Sequence, residues 1–412
     1  MNVKINPSKV NGTIIAPPSK SVSQRAIILA SLADGTSILH HCGKSDDVQS
    51  VLKIVETLGA KVSFKGDKTF ITGPIKLSSQ TINCGESGLA ARIFSALAAL
   101  GSHPIVINGT GSLLKRPMTM IENTLKKMNV SIQSNHGFLP LVIKGPWEGG
   151  SISMDASETS QLLSGIIMAA PLASEHTTIY IEAIKSKPYI DLTLEVMKAF
   201  GAEAQQQNYN HFQIKANQRY RPVDMDIEGD WSGAAFMLVA GAIAGKVTVR
   251  NLSPFSKQPD KNILQLLMRT GARCSINEDF IEVEKQRLTP FAFDANDCPD
   301  LIPPAVALAA HCQGDSMIKG AKRLVHKESN RALTLKQEFE KMGIELQIEG
   351  DVIIVKGGKP HSAICHSHND HRIAMACAVA ALGADGETHI LEADVVKKSY
   401  PDFFDKLLLL ME

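Results

Sequence analysis

The sequence predicts an α/β protein of two domains, built of six βαβαββ-like repeats, three per domain, with buried central helices. Two observations support this prediction. Six polar clusters each stand directly before a helix of Ala, Gly, Ile, Leu and Met, and a pattern of helix end, turn and strand pair recurs at a fixed period. Helices that are apolar all round are buried elements, and self-similarity at a fixed period is typical of a repeat architecture.

The six apolar helices all begin at polar residues. In chain order the pairs are SKSVSQR before AIILASLA, GES before GLAARIFSALAAL, SETS before QLLSGIIMAAPLA, GDWS before GAAFMLVAGAIAG, DCPDLIPP before AVALAAHC, and HNDH before RIAMACAVAALGA. Helix starts favour anions because they carry unpaired N–H groups and the positive end of the dipole. Lys20, Arg25, Arg92 and Arg372 add full charges near these starts. If the fold gathers these starts, they form a site for small polyanions.

The second pattern is measured from turn residues that end a helix and precede a strand pair. They are Gly59, Asn129, Gly201, Gly271 and Gly343, spaced 70 to 72 residues apart. One period is longer than a solenoid repeat of ~20–50 residues. It holds two helices and three or four strands, which indicates a βαβαββ-like unit.

The sixth copy lacks its strand pair, because one more period after Gly343 runs past Glu412. A candidate pair, MNVKINPSKVNGTIIAP, stands at the other end of the chain. We therefore predict that this N-terminal hairpin completes the last repeat. The predicted domains are 1–18 plus 228–412, discontinuous and closed by both chain ends, and an inserted domain at 19–227.

Composition narrows the function. The chain has 412 residues, with 43 basic and 42 acidic side chains and a formal net charge of +1, so no global attraction to nucleic acid or an anionic membrane is expected. Seven cysteines without CxxC or ligand spacing indicate reduced thiols. No apolar run reaches membrane-spanning length, and the cluster HSHNDHR has no partner motif that would make a metal site. These features lead us to expect a cytoplasmic protein without a metal site.

Six motifs allow a closer interpretation. PPSKSVSQRA, LLKRPM, SKPYID, HKESNRAL, NDHRIAM and KKSYPDFF resemble, in order and spacing, those of the EPSP synthase (3-phosphoshikimate 1-carboxyvinyltransferase) family. The resemblance covers essentially the whole chain. It implies a two-domain inverse α/β barrel with three βαβαββ units in each domain and buried central helices. It also implies transfer of the enolpyruvyl group of phosphoenolpyruvate to the 5-hydroxyl of shikimate 3-phosphate with release of phosphate, a step of aromatic amino acid biosynthesis that uses no cofactor.

The resemblance also implies residue roles. The implied ligands of shikimate 3-phosphate are Lys20, Ser21, Arg25, Thr159, Ser160, Gln161, Ser186, Asp300 and Lys327. Those of phosphoenolpyruvate are Lys20, Gly88, Arg116, Gln161, Arg331, Arg372 and Lys398. The implied catalytic residues are Asp300 as proton acceptor, Glu328 as proton donor, and Lys20. The chemistry fits these types, because both substrates carry a phosphate and a carboxylate that Arg clamps well, and addition–elimination needs a base and an acid.

The sequence departs from the family in places. It reads GESGLAAR where many members read GNAGTAMR, so Glu86 replaces an Asn and Leu89 replaces a Thr beside Gly88. We expect Glu86 to turn away from the anion site or to pair with a cation such as Arg92. No role is carried over to Arg323. These changes bear on sensitivity to glyphosate, for which Gly88 would leave space.

Two alternatives remain open. One is the related UDP-N-acetylglucosamine enolpyruvyl transferase, which would show an early Lys-Asn pair and a reactive Cys near position 115. Here the early pair is Lys20–Ser21 and GTGSLLKRPM contains no Cys. The other is a non-catalytic anion-binding relative, which should lack the acid–base pair of Asp300 and Glu328.

Overall fold

A computed structural model describes all residues, 1–412. The chain divides into two compact units, one made of Met1–Pro17 with Glu228–Glu412 and the other of Pro18–Ile227. Below they are called the terminal unit and the middle unit.

Residues 1–227 alternate strands and helices, in the order β1 (Val3–Ile5), β2 (Val10–Ile15), α1 (Lys20–Leu32), β3 (Gly35–His40), α2 (Asp46–Thr57), β4 (Lys61–Lys65), β5 (Lys68–Gly73), β6 (Gln80–Asn83), α3 (Gly88–Ala98), β7 (Ile105–Asn108), α4 (Thr119–Lys127), β8 (Ser131–Asn135), β9 (Phe138–Lys144), β10 (Gly150–Ala156), α5 (Gln161–Ala169), β11 (Thr177–Ile184), α6 (Pro188–Ala199), β12 (Ala204–Gln207), β13 (His211–Ile214) and β14 (Asp224–Asp226).

Residues 228–412 continue with α7 (Trp231–Ala244), β15 (Gly245–Arg250), α8 (Ile263–Arg269), β16 (Arg273–Ile276), β17 (Phe280–Glu284), β18 (Ala292–Asp294), α9 (Ile302–Ala309), β19 (Asp315–Lys319), α10 (Arg331–Lys341), β20 (Leu346–Glu349), β21 (Val352–Lys356), β22 (Ile364–His366), α11 (His371–Ala381), β23 (Thr388–Leu391) and α12 (Phe403–Leu410).

Each unit contains three sheets. Those of the middle unit have the orders β14-β3-β5-β4, β6-β7-β9-β8 and β10-β11-β13-β12, and those of the terminal unit β16-β17-β15-β2, β18-β19-β21-β20 and β1-β23-β22. Every sheet contains one parallel pair, and the remaining strands pair antiparallel. A parallel pair needs a crossover connection, and in four sheets one of the apolar helices α3, α5, α9 and α11 joins the two parallel strands directly. In the other two sheets the parallel strands, β3 with β14 and β2 with β15, lie far apart in the chain. This is the predicted βαβαββ repeat.

The predicted turn residues end their helices in the left-handed region. Gly59 has φ 101°, Asn129 58°, Gly201 83°, Gly271 88° and Gly343 74°. Glycine and asparagine tolerate this conformation best, so the 70-residue period reflects one turn type used five times. The C-cap prediction is confirmed.

The prediction of an N-terminal hairpin is wrong. β1 pairs antiparallel with β23, with Val3 opposite Ile390, whereas β2 pairs parallel with β15 in a different sheet, with Thr13 opposite Thr248. The reason is a strand exchange. The strand that precedes α7 in the chain, β14, pairs with β3 in the middle unit, so β2 supplies the parallel partner that β15 requires. The last sheet therefore has three strands.

The apolar helices form the two cores. Buried residues of α1, α3 and α5 belong to one hydrophobic cluster, and those of α7, α9 and α11 to the other. In the terminal unit these three helices contact one another, and in the middle unit α3 packs on α5. None of the helices is both long enough and apolar enough to span a membrane.

Candidate active site

Arg25 is the buried cation of the middle unit. It lies on α1 with 1% of its surface exposed. Its guanidinium donates to the Thr193 hydroxyl at 2.8 Å, to the Ser21 carbonyl at 2.9 Å and to the Ser164 hydroxyl at 3.5 Å. All three acceptors are neutral. Burial lowers the pKa of Arg25 to about 10, with Tyr189 opposing, so the side chain is still charged at neutral pH.

A second cationic group surrounds Gly88, the first residue of α3. A Cβ placed on Gly88 would lie 2.8 Å from Nη1 of Arg92, 3.0 Å from Nη1 of Arg116 and 3.6 Å from Oε1 of Gln161. Arg92 also donates to the Gly88 carbonyl at 3.0 Å. Burial and the charge of Arg116 lower the pKa of Arg92 to about 10, while Glu158 opposes. The absence of a side chain at Gly88 therefore leaves room beside two guanidinium groups.

Glu86 accepts hydrogen bonds beside this group. Its Oε2 receives the backbone N–H of Ser112 at 2.7 Å and the Ser112 hydroxyl at 2.6 Å. Arg116 donates to the same hydroxyl at 3.4 Å. Ser112 thus links the unusual carboxylate to Arg116. Leu89 is buried.

The remaining predicted residues of the middle unit stand at helix starts. Lys20 begins α1, and its ammonium lies 2.8 Å from Oδ2 of Asp47. Thr159 precedes α5 and accepts the Gln161 N–H at 3.2 Å, and Ser160 is the N-cap residue but makes no side-chain cap bond. Ser186 is buried with φ 57°, just before α6, the helix that carries Thr193.

The terminal unit gathers four of the predicted residues around Asp300. Arg331 donates to its Oδ1 at 2.9 Å, Arg372 to its Oδ2 at 3.1 Å, and Lys327 lies 3.5 Å from Oδ1. Arg331 also donates to Glu328. This pair is not a surface ion pair, because Arg331 is only 1% exposed. The structure thus joins Asp300, Lys327, Glu328, Arg331 and Arg372 in one ionic network.

The network sets the protonation of its members. Burial alone would raise the pKa of the Asp300 carboxyl, but the charges of Arg372, Lys327 and Arg331 outweigh this and hold the pKa well below its usual range. Burial lowers the pKa of Lys327, assisted by Arg331 and Arg323 and opposed by Asp300 and Glu328. Burial would also lower the pKa of Arg331, but Asp370, Glu328 and Asp300 raise it. Asp300 is therefore ionised at neutral pH and its side chain remains 21% exposed.

Asp370 is a site residue that sequence reasoning missed. It is the N-cap of α11, fully buried, and accepts from Arg331 Nε at 2.8 Å and from the Arg372 N–H at 3.0 Å. The neighbouring carbonyl of Asn369 accepts from Lys398 at 2.7 Å. Arg92 was predicted only as a cation near a helix start. Both Asp370 and Arg92 lie at or near the start of a buried helix, and this position in the sequence is the signal that could have identified them as site residues.

Fold and site together define a class: an α/β protein whose two units place arginines, lysines and carboxylates at or near the starts of buried helices, an arrangement suited to small anionic molecules. The family model for EPSP synthase (3-phosphoshikimate 1-carboxyvinyltransferase) matches residues 5–407. The chain belongs to this family.

Individual relatives agree. Over 409 residues the chain is 35% identical to a 3-phosphoshikimate 1-carboxyvinyltransferase of Clostridium perfringens, covering 98% of this chain and 96% of the relative. It is 37% identical over 410 residues to the one of Thermococcus kodakarensis, covering 98% of both. Among solved structures, an EPSP synthase from Acinetobacter baumannii superposes with a TM-score of 0.83 at 25% identity, covering 100% of this chain and 98% of that one.

Proposed function

We propose that this chain transfers the enolpyruvyl group of phosphoenolpyruvate to the 5-hydroxyl of shikimate 3-phosphate, giving 5-enolpyruvylshikimate 3-phosphate and phosphate. The observation that best supports the proposal is the network around Asp300. It joins Asp300 to Glu328, Lys327, Arg331 and Arg372. The last four belong to HKESNRAL and NDHRIAM, which resemble motifs of the family. A non-catalytic anion-binding relative would have no need of these carboxylates.

Binding is shared between two sets of cations. Arg25, with Lys20, Ser21, Thr159, Ser160, Gln161 and Ser186, is proposed to hold shikimate 3-phosphate. Arg25 suits a phosphate because its present acceptors are neutral oxygens, and a guanidinium binds phosphate bidentately and strongly. Arg116, Gln161, Arg331, Arg372 and Lys398 are proposed to hold phosphoenolpyruvate, with Gly88 leaving room for it.

The reaction is an addition followed by an elimination. In the addition, the 5-hydroxyl oxygen bonds to C2 of the enol while its proton leaves and C3 gains a proton. In the elimination, C3 loses a proton and the C2–O bond to phosphate breaks. We assign Asp300 as acceptor of the hydroxyl proton and Glu328 as donor to C3, with Lys327 beside it as a substrate ligand.

The pKa of Asp300 explains how one carboxylate serves as both counterion and base. In the ligand-free state three cations depress its pKa, which makes it a weak base. When anionic substrates take a share of Arg331 and Arg372, that depression decreases, because a nearby positive charge favours the carboxylate only while it is not neutralised elsewhere. Substrate binding therefore raises the basicity of Asp300 at the moment when a base is needed.

A coupled assay of phosphate release tests the proposal. Purified protein with both substrates should release one phosphate per 5-enolpyruvylshikimate 3-phosphate formed. Omitting either substrate should abolish release. UDP-N-acetylglucosamine in place of shikimate 3-phosphate should give none. Release with the nucleotide sugar alone would favour the related transferase, and no release with either acceptor would contradict the proposal.

We also propose that the protein is a cytoplasmic monomer. Its seven cysteines are all free thiols, which is typical of a reducing compartment. Size-exclusion chromatography with light scattering should give a molar mass of about 44.5 kDa, the mass of one chain, if the protein is a monomer. A mass of two chains at micromolar concentration would contradict this part of the proposal.

A further inference from the structure

Glu338 is a buried carboxylate for which the reaction as proposed has no use. It lies on α10 with no exposed surface, seven residues and about two turns after Arg331. Burying an ionised carboxylate is costly unless it is paired and hydrogen-bonded. An ionised group retained at such a position therefore calls for a reason beyond packing.

Three donors converge on this carboxylate. Lys341 donates to both oxygens at 2.8 Å, the backbone N–H of His366 donates to Oε2 at 2.9 Å, and Nε2 of His368 lies 2.6 Å from Oε1. Burial alone would raise the pKa of Glu338, but Lys341, His368 and the His366 N–H together lower it. The group is thus an anion, and two of its three partners belong to one short segment.

That segment is the turn from His366 to Asp370, between β22 and α11. His368 has φ 53° and Asn369 φ 56°, so two successive residues other than glycine are left-handed. Such residues cost about 1–3 kcal/mol each and persist only where the surroundings fix them. Inside the turn the His368 N–H donates to His366 Nδ1 at 2.8 Å. Glu338 holds the turn from outside, at the backbone of its first residue and at the ring of its third.

Residues of the turn contact three proposed ligands of phosphoenolpyruvate. The Asn369 carbonyl accepts from Lys398 and the Asp370 carboxylate accepts from Arg331 Nε and from the Arg372 N–H. Because α10 carries both Arg331 and Glu338, helix and turn are joined at two points, Arg331–Asp370 and Glu338–His368. A shift of the turn would move all three cations relative to one another.

We propose that Glu338 and His368 are positioning residues for the phosphoenolpyruvate site: they touch no substrate and act by fixing the turn that orients Arg331, Arg372 and Lys398. This inference rests on the proposed function. It predicts a particular kinetic signature, because the turn contacts donor ligands while the buried cation proposed for shikimate 3-phosphate, Arg25, lies in the other unit.

The test compares Glu338→Gln with a matched control on the same helix, Glu340→Gln. Glu340 is exposed and pairs with Lys336 at the surface. Glu338→Gln keeps the shape but removes the charge. It should raise the KM for phosphoenolpyruvate by about tenfold to a hundredfold, the range expected for a displacement of about 1 Å in a positioning group. The Kd for shikimate 3-phosphate and the kinetics of Glu340→Gln should match the parent.

His368→Ala provides a second variant in case Glu338→Gln folds poorly. If the pair acts as one unit, the double variant should lose less than the product of the two single losses, since coupled residues are not additive. An unchanged donor KM in both single variants would overturn the inference. So would an equal weakening of both substrates together with a lower Tm, because that result indicates a general structural role.

Different results would contradict the proposed function and the inference about Glu338. A parent protein that releases no phosphate with both substrates would overturn the proposed function and the inference with it. An active parent whose Glu338→Gln variant keeps the parent's donor KM would overturn the inference alone.

Discussion

Arg25 in the middle unit and Arg331 in the terminal unit are equally buried but differently neutralised. The hydrogen bonds of Arg25 go to two hydroxyls and a carbonyl, whereas Arg331 binds the carboxylates of Asp300, Glu328 and Asp370. Their pKa values move in opposite directions: burial lowers that of Arg25 to about 10, and the carboxylates raise that of Arg331 against the effect of its burial.

The difference indicates two ways of preparing an anion site. A buried guanidinium whose acceptors are neutral has no anion among its hydrogen-bond partners. A phosphate that binds there would therefore be a stronger partner than any of the present acceptors. A guanidinium paired with carboxylates of the protein is already oriented, and a substrate anion must share it with carboxylates that are proposed to transfer protons. We therefore expect the middle unit to supply affinity and the terminal unit to supply chemistry.

The largest expected effect comes from removing the proton-transfer groups of the terminal unit. Glu328→Gln and Asp300→Asn should each lower kcat by about 10²–10⁴-fold, the usual contribution of a general acid or base. Shikimate 3-phosphate should still bind, as measured by calorimetry. Asp294→Asn is the control, since Asp294 is an exposed partner of Lys319. Near-normal turnover in either variant would remove that residue from the mechanism.

The next effect concerns stability in the absence of ligand. Arg331→Met removes the charged partner that Asp300, Glu328 and Asp370 share, and breaking a buried ion pair typically costs about 3–5 kcal/mol. Arg25→Met leaves only neutral acceptors, so its loss of unfolding free energy should be clearly smaller. Urea denaturation at pH 7 with separate probes for each unit would compare them. Equal losses would show that the counterions of Arg331 do not distinguish the two units.

A smaller effect is expected at Gly88 in the middle unit, a proposed contact of phosphoenolpyruvate. Gly88→Ala would place a methyl group within about 3 Å of Arg92 and Arg116. Overpacking costs about 1–3 kcal/mol, which corresponds to an increase of about fivefold to 150-fold in the inhibition constant of glyphosate. Phosphoenolpyruvate, being shorter, should lose less. The measurement is the inhibition constant and the donor KM in both proteins, and equal increases would instead make Gly88 a packing residue.

The smallest effect is a pH dependence confined to the terminal unit. Because the pKa of Asp300 lies below its usual value of about 3.9, its stabilisation is present above about pH 4 and is lost as the pH falls through the folded-state pKa. Asp300→Asn lacks this contribution at every pH. The difference in unfolding free energy between parent and variant should therefore shrink below pH 4, by at most about 1.4 kcal/mol per pH unit. A constant difference from pH 7 to pH 3 would contradict the linkage.

Local signals in the sequence predicted much of the fold. The left-handed turns at Gly59 and Gly343 and the apolar helices depend on neighbouring residues, so a pattern reveals them. The partner of β2 is set 235 positions away, at Thr248 opposite Thr13, and no local pattern separates that pairing from a hairpin with β1. The strand exchange was therefore missed.

The site residues also fall into two groups, those that local motifs predicted and those that depend on contacts between distant segments. Motifs located Arg331 and Arg372, and their assigned roles stay predictions. Glu338, Asp370 and Thr193 matter through contacts between distant segments, such as Thr193 with Arg25 at 2.8 Å. A single sequence records that a residue is charged but not which residue it faces.

The exchange of β2 and β14 has a consequence for synthesis on the ribosome. All strands of the middle unit, from β3 to β14, come from one continuous stretch, so that unit can fold as soon as residue 227 has emerged. The strand β2 emerges before any strand of the middle unit but must wait for β15, which takes on the order of 10–50 s at about 5–20 residues/s. Nascent chains stalled at the length at which residue 227 has just left the ribosome should therefore resist protease throughout the middle unit while being cut within residues 1–17.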